Sequence, residues 1–387
     1  MSSWTTIHDH GPLRMTYLDA AATTPVRRQV LEAMWPYLTT TYGNPASHHE
    51  VGEAAARGLD AARRAVAQVL GARPAEVTFT SGGTEGANTA IKGIALAAPR
   101  GRHVIVSAIE HPAVLESARW LGRLGYEVTE LGVDADGLVS PEALAAAVRP
   151  DTTLVSIQYA NNEIGTIQPI AELTAITRTH DIPFHTDAVQ AAGWLELNVD
   201  HLGVQALSIS GHKLGAPKGI GVLYLRRRTP IEPLIHGGGQ QRGLRSGTED
   251  VAGAVGMATA LRLARAADPA LLAATRDRFI TRVEAGVPDA RLTGHRTQRL
   301  PGHASFVLPG ISGESVLLDL ERHGVVCSSG SACAAGSDEP SHVLTALGIP
   351  AEIAQTALRF SFEAGTTDGD LNHAADELKS AVPRRAT

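Results

Sequence analysis

The sequence has few of the residues that mark several specialised protein classes. Its 387 residues include two cysteines and only 4% aromatic residues. The cysteines, Cys327 and Cys333, argue against a disulfide framework, and two thiols alone do not complete a metal site. No apolar run is long enough to span a membrane, and the first residues lack the apolar core of a signal peptide. We therefore expect a cytoplasmic protein with no metal centre and no membrane contact.

Basic residues are also scarce. The chain has 34 lysines and arginines against 40 acidic residues, which gives a net charge of −6. Lysine occurs only as Lys92, Lys213, Lys218 and Lys379. A basic trio at residues 226–228 follows an apolar run and is interpreted as the solvated end of a strand. We expect no direct nucleic-acid binding, and the apolar fraction of 43% is typical of a globular protein.

Short β-branched runs alternate with longer alanine-rich segments from residue 17 to residue 260. The runs predict strands at residues 77–80, 103–107, 154–159, 183–186, 206–209 and 221–225, with helices between them at residues 54–70, 87–97 and 170–179 among others. This alternation is typical of an α/β domain whose mostly parallel sheet has helices on both faces.

The pattern changes near residue 265. Long helical segments then dominate, with separated strands predicted at residues 304–308, 325–327 and 358–362. We therefore expect a large domain at residues 23–264 and a smaller α+β domain at residues 265–387. An N-terminal segment, residues 1–22, is expected to join the smaller domain.

Polar and glycine-rich residues follow the predicted strands, where ligands of open parallel sheets bind. Gly83 and Thr84 begin a helix, and its free N–H groups suit a phosphate, although a plain glycine turn with a threonine cap would look the same. His111 follows the next strand, where a histidine is more often a capping or packing residue. Asn161 and Asn162 either hold a turn or donate to a ligand oxygen.

Asp187 and Lys213 complete this set. A carboxylate at the end of an apolar strand needs a cation or donors, and a protonated heterocyclic nitrogen would satisfy it. Lys213 lies among small residues between two predicted strands, where an amine could form a Schiff base, although a surface-loop lysine would look similar. A phosphate cradle, a ring-nitrogen partner and a lysine in one crevice together predict pyridoxal phosphate.

At these residues the chain resembles the cysteine desulfurases of the NifS/IscS type, in the class V aminotransferase superfamily. The motifs that carry the resemblance are YLDAAATTPV (17–26), GNPAS (43–47), TSGGTEGAN (80–88), EHPAVL (110–115), NNEIG (161–165), HTDAVQ (185–190), SGHKLGAPKGIG (210–221), HGGGQQRGLRSGT (236–248) and SSGSAC (328–333). The resemblance covers residues 17–367. It implies a pyridoxal-phosphate fold of type I and the removal of sulfur from L-cysteine, which leaves L-alanine and a protein persulfide.

The resemblance also implies residue roles. Lys213 would carry the cofactor, and His111 would stack on its ring and take part in proton transfer. Arg359 would bind the substrate α-carboxylate through its bidentate fork, with Asn162 nearby. The remaining cofactor contacts would be Asp187 at the ring nitrogen, Gln190 and Asn162 near the phenolic oxygen, Gly83, Thr84, Ser210 and His212 at the phosphate, and Thr248 at the phosphate from a neighbouring subunit. The last contact implies a homodimer.

Two thiols compete for the role of sulfur acceptor. Residues 328–337 are all small and include two glycines, which is the composition of a mobile loop, and Cys333 lies near its middle. Cys327 ends an apolar run and is expected to be partly buried and inert. We expect Cys333 to be the catalytic thiol, with Cys327 as the second candidate.

The chain departs from the family pattern at two places. Glu363 and Ala364 stand where the family commonly has glycine and arginine, and the chain ends at Thr387 without the longer tail of housekeeping members. The sulfur acceptor is therefore left open between iron–sulfur cluster assembly, tRNA thiolation and DNA phosphorothioation. Other hypotheses are a selenocysteine lyase, an aminotransferase, or a non-catalytic sulfur-relay subunit.

Overall fold

The structure is a computed structural model that describes residues 15–97, 100–329 and 339–382. The strands are β1 (Thr16–Tyr17), β2 (Val77–Thr80), β3 (His103–Ser107), β4 (Glu127–Leu131), β5 (Thr152–Ser156), β6 (Phe184–Asp187), β7 (Ala206–Ser210), β8 (Gly221–Leu225), β9 (Arg291–Leu292), β10 (His303–Val307), β11 (Val325–Val326) and β12 (Ala357–Ser361). None of the helices in these described ranges is both long and apolar enough to cross a membrane.

The helices are α1 (Arg28–Thr39), α2 (Glu50–Leu70), α3 (Gly83–Ala97), α4 (Pro112–Arg123), α5 (Pro141–Ala147), α6 (Ile170–Arg178), α7 (Val199–Leu202), α8 (Val251–Ala264), α9 (Pro269–Gly286), α10 (Gly313–Arg322), α11 (His342–Ala346), α12 (Ala351–Ala354) and α13 (Asp368–Ala381). Local sequence sets their ends. Helix α2, for example, begins after His49, whose Nδ1 accepts the Gly52 N–H, and ends at Gly71 with a left-handed φ of 63°.

Seven strands form the large sheet in the order β2-β8-β7-β6-β5-β3-β4. Strand β8 is antiparallel to both of its neighbours, and the other pairs are parallel. One face packs on α1, α2, α6 and α8, and the other packs on α3 and α4. This arrangement confirms the predicted α/β fold with a mostly parallel sheet between two helical layers.

A second core lies in the C-terminal third. Strands β12, β10 and β9 form an antiparallel sheet, covered by α9, α10 and α13. Its centre is aromatic, with the rings of Phe279 and Phe360 in a T-shaped contact at 5.2 Å. Leu18, from the N-terminal segment, is fully buried in the same cluster. The division into residues 1–22, 23–264 and 265–387 itself stays a prediction.

The structure corrects several predicted boundaries. Strand β5 covers Thr152–Ser156 instead of residues 154–159, although the N–H groups of Ile157 and Tyr159 still donate to carbonyls of β6. Asp187 is the last residue of β6 and does not follow it. Strand β4 was not predicted. It is an edge strand with exposed glutamates, so it lacks the apolar run that identified its neighbours.

Candidate active site

A cavity of about 630 Å³ opens at the carboxyl ends of β3, β5, β6 and β7. It brings together most of the residues that the sequence singled out. Those that line it are Gly83, Thr84, His111, Asn162, Asp187, Gln190, Ser210, His212, Lys213 and Arg359. Most of them converge because the ends of parallel strands meet at one edge of the large sheet, whereas Arg359 reaches the cavity from β12 of the small antiparallel sheet.

The start of α3 forms one wall of the cavity. A Cβ on Gly83 would lie 2.5 Å from a methyl group of Val189, so this position has no room for a side chain. Gly82, directly before it, has a φ of 155°. Gly83 and Thr84 both line the cavity, and the first N–H groups of a helix have no partners within the helix, as an anion site requires.

Ser210, at the end of β7, lies beside Gly83, and His212 follows in the next turn. Ser210 is the last residue of that strand, and Nδ1 of His212 lies 3.1 Å from the Thr23 hydroxyl. Burial and the charge of Lys213 lower the pKa of His212 to about 4. The imidazole is therefore neutral at physiological pH and presents a hydrogen-bonding group without adding charge.

Lys213 ends a single 3₁₀ turn, Gly211–Lys213, between β7 and β8. Its Nζ donates hydrogen bonds of 2.5 Å to the carbonyl oxygens of Ala21 and Ala22. The amine is thus held at the cavity wall by two backbone acceptors from the N-terminal segment. It is placed in the cavity and not on an outer loop surface.

Asp187 lies at the floor of the cavity and is only 7% exposed. Its Oδ1 accepts the Val189 N–H at 2.9 Å. Burial raises the pKa of Asp187 to about 6, and the nearby Lys213 opposes that rise. Among the described residues no basic side chain forms an ion pair with it, so a cationic group in the cavity would satisfy it.

His111 is the N-cap of α4, and its Nδ1 accepts the Ala113 N–H at 3.1 Å. Burial, Lys213 and His342 lower the pKa of His111 to about 4. Since Nδ1 is an acceptor, the neutral ring carries its proton on Nε2. The same histidine therefore caps the helix and lines the cavity.

Arg359, on β12, is the largest fully buried side chain at 1% exposure. Its Nη2 donates to Asp19 Oδ1 at 2.6 Å, and its Nη1 donates to the carbonyl oxygen of Asn162 at 3.1 Å. The same carbonyl lies 3.0 Å from Nε2 of His303. Gln190, which also lines the cavity, donates through Nε2 to the Ala21 carbonyl at 3.0 Å.

Of the two candidate thiols, the structure describes only Cys327. Cys333 lies outside the described residues. Cys327 follows β11, is partly buried, and packs on the C-terminal core. Burial raises the pKa of Cys327 to about 12, and Asp19 adds to the rise. This thiol therefore ionises poorly.

Thr248 and Glu363 do not line this cavity. Thr248 is exposed and does not line the cavity of its own chain. Glu363, one of the departures from the family pattern, is half-buried and pairs with Arg27 at 3.5 Å. Its charge is thus balanced within the chain.

Several cavity residues were not singled out from the sequence. They are Ala21, Ala22, Gln158, Glu163, Ser341 and His342. Glu163 lies inside the quoted NNEIG motif and follows Asn162, which was a usable signal. Ser341 and His342 stand in no quoted motif, and only their contacts across the cavity, such as Ser341 Oγ to Glu163 Oε2 at 2.5 Å, identify them.

Comparison with known proteins identifies the family. The class-V aminotransferase family model matches residues 16–373. The chain belongs to this family. It is 48% identical over 378 residues to the cysteine desulfurase IscS of Dictyoglomus turgidum, covering 97% of this chain and 96% of that protein. A solved NifS-like protein has a TM-score of 0.87 and 37% identity, covering 95% of this chain and 98% of that one. A structure of SspA in complex with cysteine has a TM-score of 0.80 and 37% identity, covering 90% and 99%.

Within the class V family the chain is a cysteine desulfurase that depends on pyridoxal phosphate. The cavity of this desulfurase fits that cofactor. The crowded Gly83 cradle leaves backbone donors for a phosphate, buried Asp187 suits a protonated ring nitrogen, and Lys213 presents its amine. These three features match the three groups that the cofactor requires.

Proposed function

We propose that the chain removes sulfur from L-cysteine in the cavity around Lys213, releases L-alanine, and passes the sulfur to one of its own thiols. The observation that carries this proposal is the convergence in one cavity of the amine of Lys213, the buried Asp187 and the buried Arg359. A non-catalytic relay subunit would not need this buried charged set, which is costly to maintain.

Pyridoxal phosphate, when bound, supplies an electron sink for negative charge that develops on the substrate. We assign its phosphate to Gly83, Thr84, Ser210 and His212. Asp187 holds the ring nitrogen and keeps it protonated, because a buried carboxylate is most stable beside a cation. Gln190 and Asn162 flank the phenolic oxygen in this assignment.

Two groups move protons in this proposal. Lys213 Nζ would be the covalent attachment point of the cofactor, and the carbonyl oxygens of Ala21 and Ala22 would hold the amine whenever it is free. His111 carries its proton on Nε2, and its low pKa keeps the ring neutral at pH 7. At that pH the ring can accept a proton but does not readily release one, so its proposed part in proton transfer is that of a base, and its Nε2–H donates a hydrogen bond into the cavity.

Arg359 binds the substrate α-carboxylate. Its guanidinium lines the cavity and is buried, so a carboxylate there would form a charge-assisted contact away from water. Glu163 also lines the cavity, and burial raises the pKa of its carboxyl group.

Cys333 is the proposed thiol. Attack on the substrate sulfur requires a thiolate, and the raised pKa of Cys327 argues against that residue. In this step a thiolate forms an S–S bond to the substrate sulfur, the substrate C–S bond breaks, and a proton replaces sulfur on the product carbon. The product is L-alanine.

Sulfide and alanine release from L-cysteine tests the assignment in the wild type and in the Cys333→Ala and Cys327→Ala variants. We expect Cys333→Ala to keep the cofactor colour and lose sulfide release, with Cys327→Ala active. The reverse pattern would move the role to Cys327. Efficient turnover of L-selenocysteine that survives Cys333→Ala, with little turnover of L-cysteine, would favour a selenocysteine lyase.

We also propose a homodimer in which Thr248 contacts the phosphate of the partner subunit. Thr248 is exposed in its own chain. Helix α1 presents an apolar face to solvent through Leu31, Trp35 and Leu38, which are 52%, 64% and 59% exposed. An apolar stripe at this spacing on a helix is typical of a protein interface.

The final sulfur acceptor is a protein of iron–sulfur cluster assembly, tRNA thiolation or DNA phosphorothioation. Each receives sulfur from a persulfide in a reducing compartment, and for this reason we propose a cytoplasmic location. Incubating the enzyme with ³⁵S-cysteine and each candidate acceptor distinguishes the three. Only the true acceptor should gain label that a reducing agent removes.

A further inference from the structure

The short segment from Asp19 to Ala22 contacts both ends of the proposed substrate site. Its Asp19 carboxylate pairs with Arg359, and its Ala21 and Ala22 carbonyls accept from Lys213. Arg359 lies on β12 of the small antiparallel sheet, and Lys213 lies in the turn between β7 and β8 of the large sheet. This segment therefore contacts both Arg359, which would bind the substrate α-carboxylate, and Lys213, whose amine lies where the substrate α-amino group would bind.

The backbone around Asp19 is held firmly against β12. The Ser361 N–H donates to the Leu18 carbonyl at 2.8 Å, and the Ala20 N–H donates to the Ser361 carbonyl at 3.0 Å. The Ser361 hydroxyl accepts the Ala21 N–H at 2.8 Å. Since Arg359 lies two residues before Ser361 on the same strand, these bonds place the Asp19 carboxylate beside the guanidinium.

The contact between the two side chains is short and shielded. Asp19 Oδ1 lies 2.6 Å from Arg359 Nη2, and the two side chains are 18% and 2% exposed. A charge-assisted bond in such surroundings is screened little by water and restricts rotation of the guanidinium. The Asn162 carbonyl holds Nη1 at 3.1 Å and so fixes a second corner of the group.

We propose that Asp19 is a positioning residue that orients Arg359 and thereby sets the selectivity of the cavity for substrates with a free α-carboxylate. This inference rests on the proposed carboxylate-binding role of Arg359. Asp19 acts through the arginine. Without it, the guanidinium keeps its charge and loses its defined orientation, so a planar carboxylate is bound less well.

The test compares L-cysteine with L-cysteine methyl ester, which has no carboxylate, in the cofactor-loaded enzyme. For Asp19→Ala we expect kcat/KM for L-cysteine to fall roughly 10- to 100-fold, mostly through KM, because one charge-assisted bond is lost. Turnover of the ester should stay within about twofold, because the ester does not use Arg359. Asp19→Asn should recover part of the loss, since its amide oxygen still accepts from Nη2.

A readout without turnover comes from titration with L-alanine and L-alaninamide, followed by the cofactor absorbance. The wild type should prefer L-alanine, and Asp19→Ala should lose that preference. Asp376→Asn is the matched control, because Asp376 pairs with Arg282 at 2.8 Å on the exposed surface of the same part of the chain. Asp376→Asn should leave unchanged both the preference for L-cysteine over its methyl ester and the preference for L-alanine over L-alaninamide.

Other outcomes would overturn the inference. An equal loss with L-cysteine and its ester would show a purely structural role, and tighter L-cysteine binding in Asp19→Asn would show that Asp19 competes with the substrate. Arg359→Ala separates this inference from the assignment beneath it. If Arg359→Ala keeps the preference for a carboxylate, the role of Arg359 fails. If it abolishes the preference while Asp19→Ala keeps it, only the role of Asp19 fails.

Discussion

Ser107 donates a 2.5 Å hydrogen bond from its hydroxyl to Oε1 of Glu110, directly below the cavity. The same oxygen accepts the Gln158 N–H at 2.8 Å. Among the described residues, Oε2 of this fully buried glutamate has no hydrogen-bond partner. Burial raises the pKa of Glu110 to about 8, and Asp187 adds to the rise. A protonated glutamate thus lies beneath His111 and Asp187.

This carboxyl group makes the stability of the cofactor-free protein depend on pH. Its folded-state pKa lies above the unfolded value, so its contribution is complete below about pH 4.5 and is lost as the pH rises to about 8. Glu110→Gln should flatten the decline in unfolding free energy across that window, by at most about 1.4 kcal/mol per pH unit. Urea unfolding of both proteins at several pH values measures how the unfolding free energy depends on pH. Glu130→Gln, on the exposed edge strand β4, should change nothing, and an unchanged slope in Glu110→Gln would contradict the expectation.

Lys213 should be the residue that carries the cofactor covalently. Borohydride reduction fixes a link between a lysine amine and the cofactor aldehyde, and peptide mass spectrometry then locates the added mass. We expect it on Lys213, which faces the cavity, and none after Lys213→Ala. Lys218, exposed in the same loop, is the matched control, and Lys218→Ala should retain the label on Lys213. Label on Lys218 or Lys92 would contradict the assignment.

Cys327 should react slowly with thiol reagents. In the Cys333→Ala variant it is the one remaining thiol, since the chain has two cysteines. With a pKa of about 12, its reaction at pH 8 should be roughly 10³-fold slower than that of free cysteine, because the thiolate reacts. The rate should rise about tenfold per pH unit below that pKa. Alkylation as fast as that of free L-cysteine would show that Cys327 is accessible and ionised.

Trp35 should contribute to self-association. Trp35→Glu places a charge in the exposed apolar face of α1, and we expect sedimentation equilibrium to show a shift from dimer to monomer. Cofactor retention should weaken at the same time, because Thr248 of one subunit would no longer contact the cofactor phosphate in the other subunit. Leu318→Glu on α10 is a control of similar exposure, 50%. A Trp35→Glu protein that remains dimeric would place the interface elsewhere.

The positions of most strands of the large sheet were predictable from the sequence. All of its strands except β4 are buried along their length, so each reads as a short apolar run, and three of the six predicted strands have the predicted bounds. Strand β4 escaped prediction because one side of it is solvated. The carboxyl end of β5 also escaped prediction, because an apolar run in the sequence does not show where the hydrogen-bonded pairing with the neighbouring strand stops.

The cavity residues on strand ends were predictable for a physical reason. Asp187, Lys213 and His111 each lie at or near the carboxyl end of a strand, and parallel strands bring those ends to one edge. The sequence by itself therefore determined the cofactor class and the residues expected to contact it.

Only the tertiary structure decided how distant segments complete the site. Asp19 and Arg359 are 340 residues apart, and Glu163 and Ser341 are 178 apart, so no local pattern links them. Their contacts arise because the N-terminal segment packs along β12 and the start of α11 closes on the cavity wall. The tertiary structure also decided the burial of Glu110, Asp187 and Cys327, since burial depends on what surrounds each side chain in three dimensions. That burial raises the pKa of all three groups.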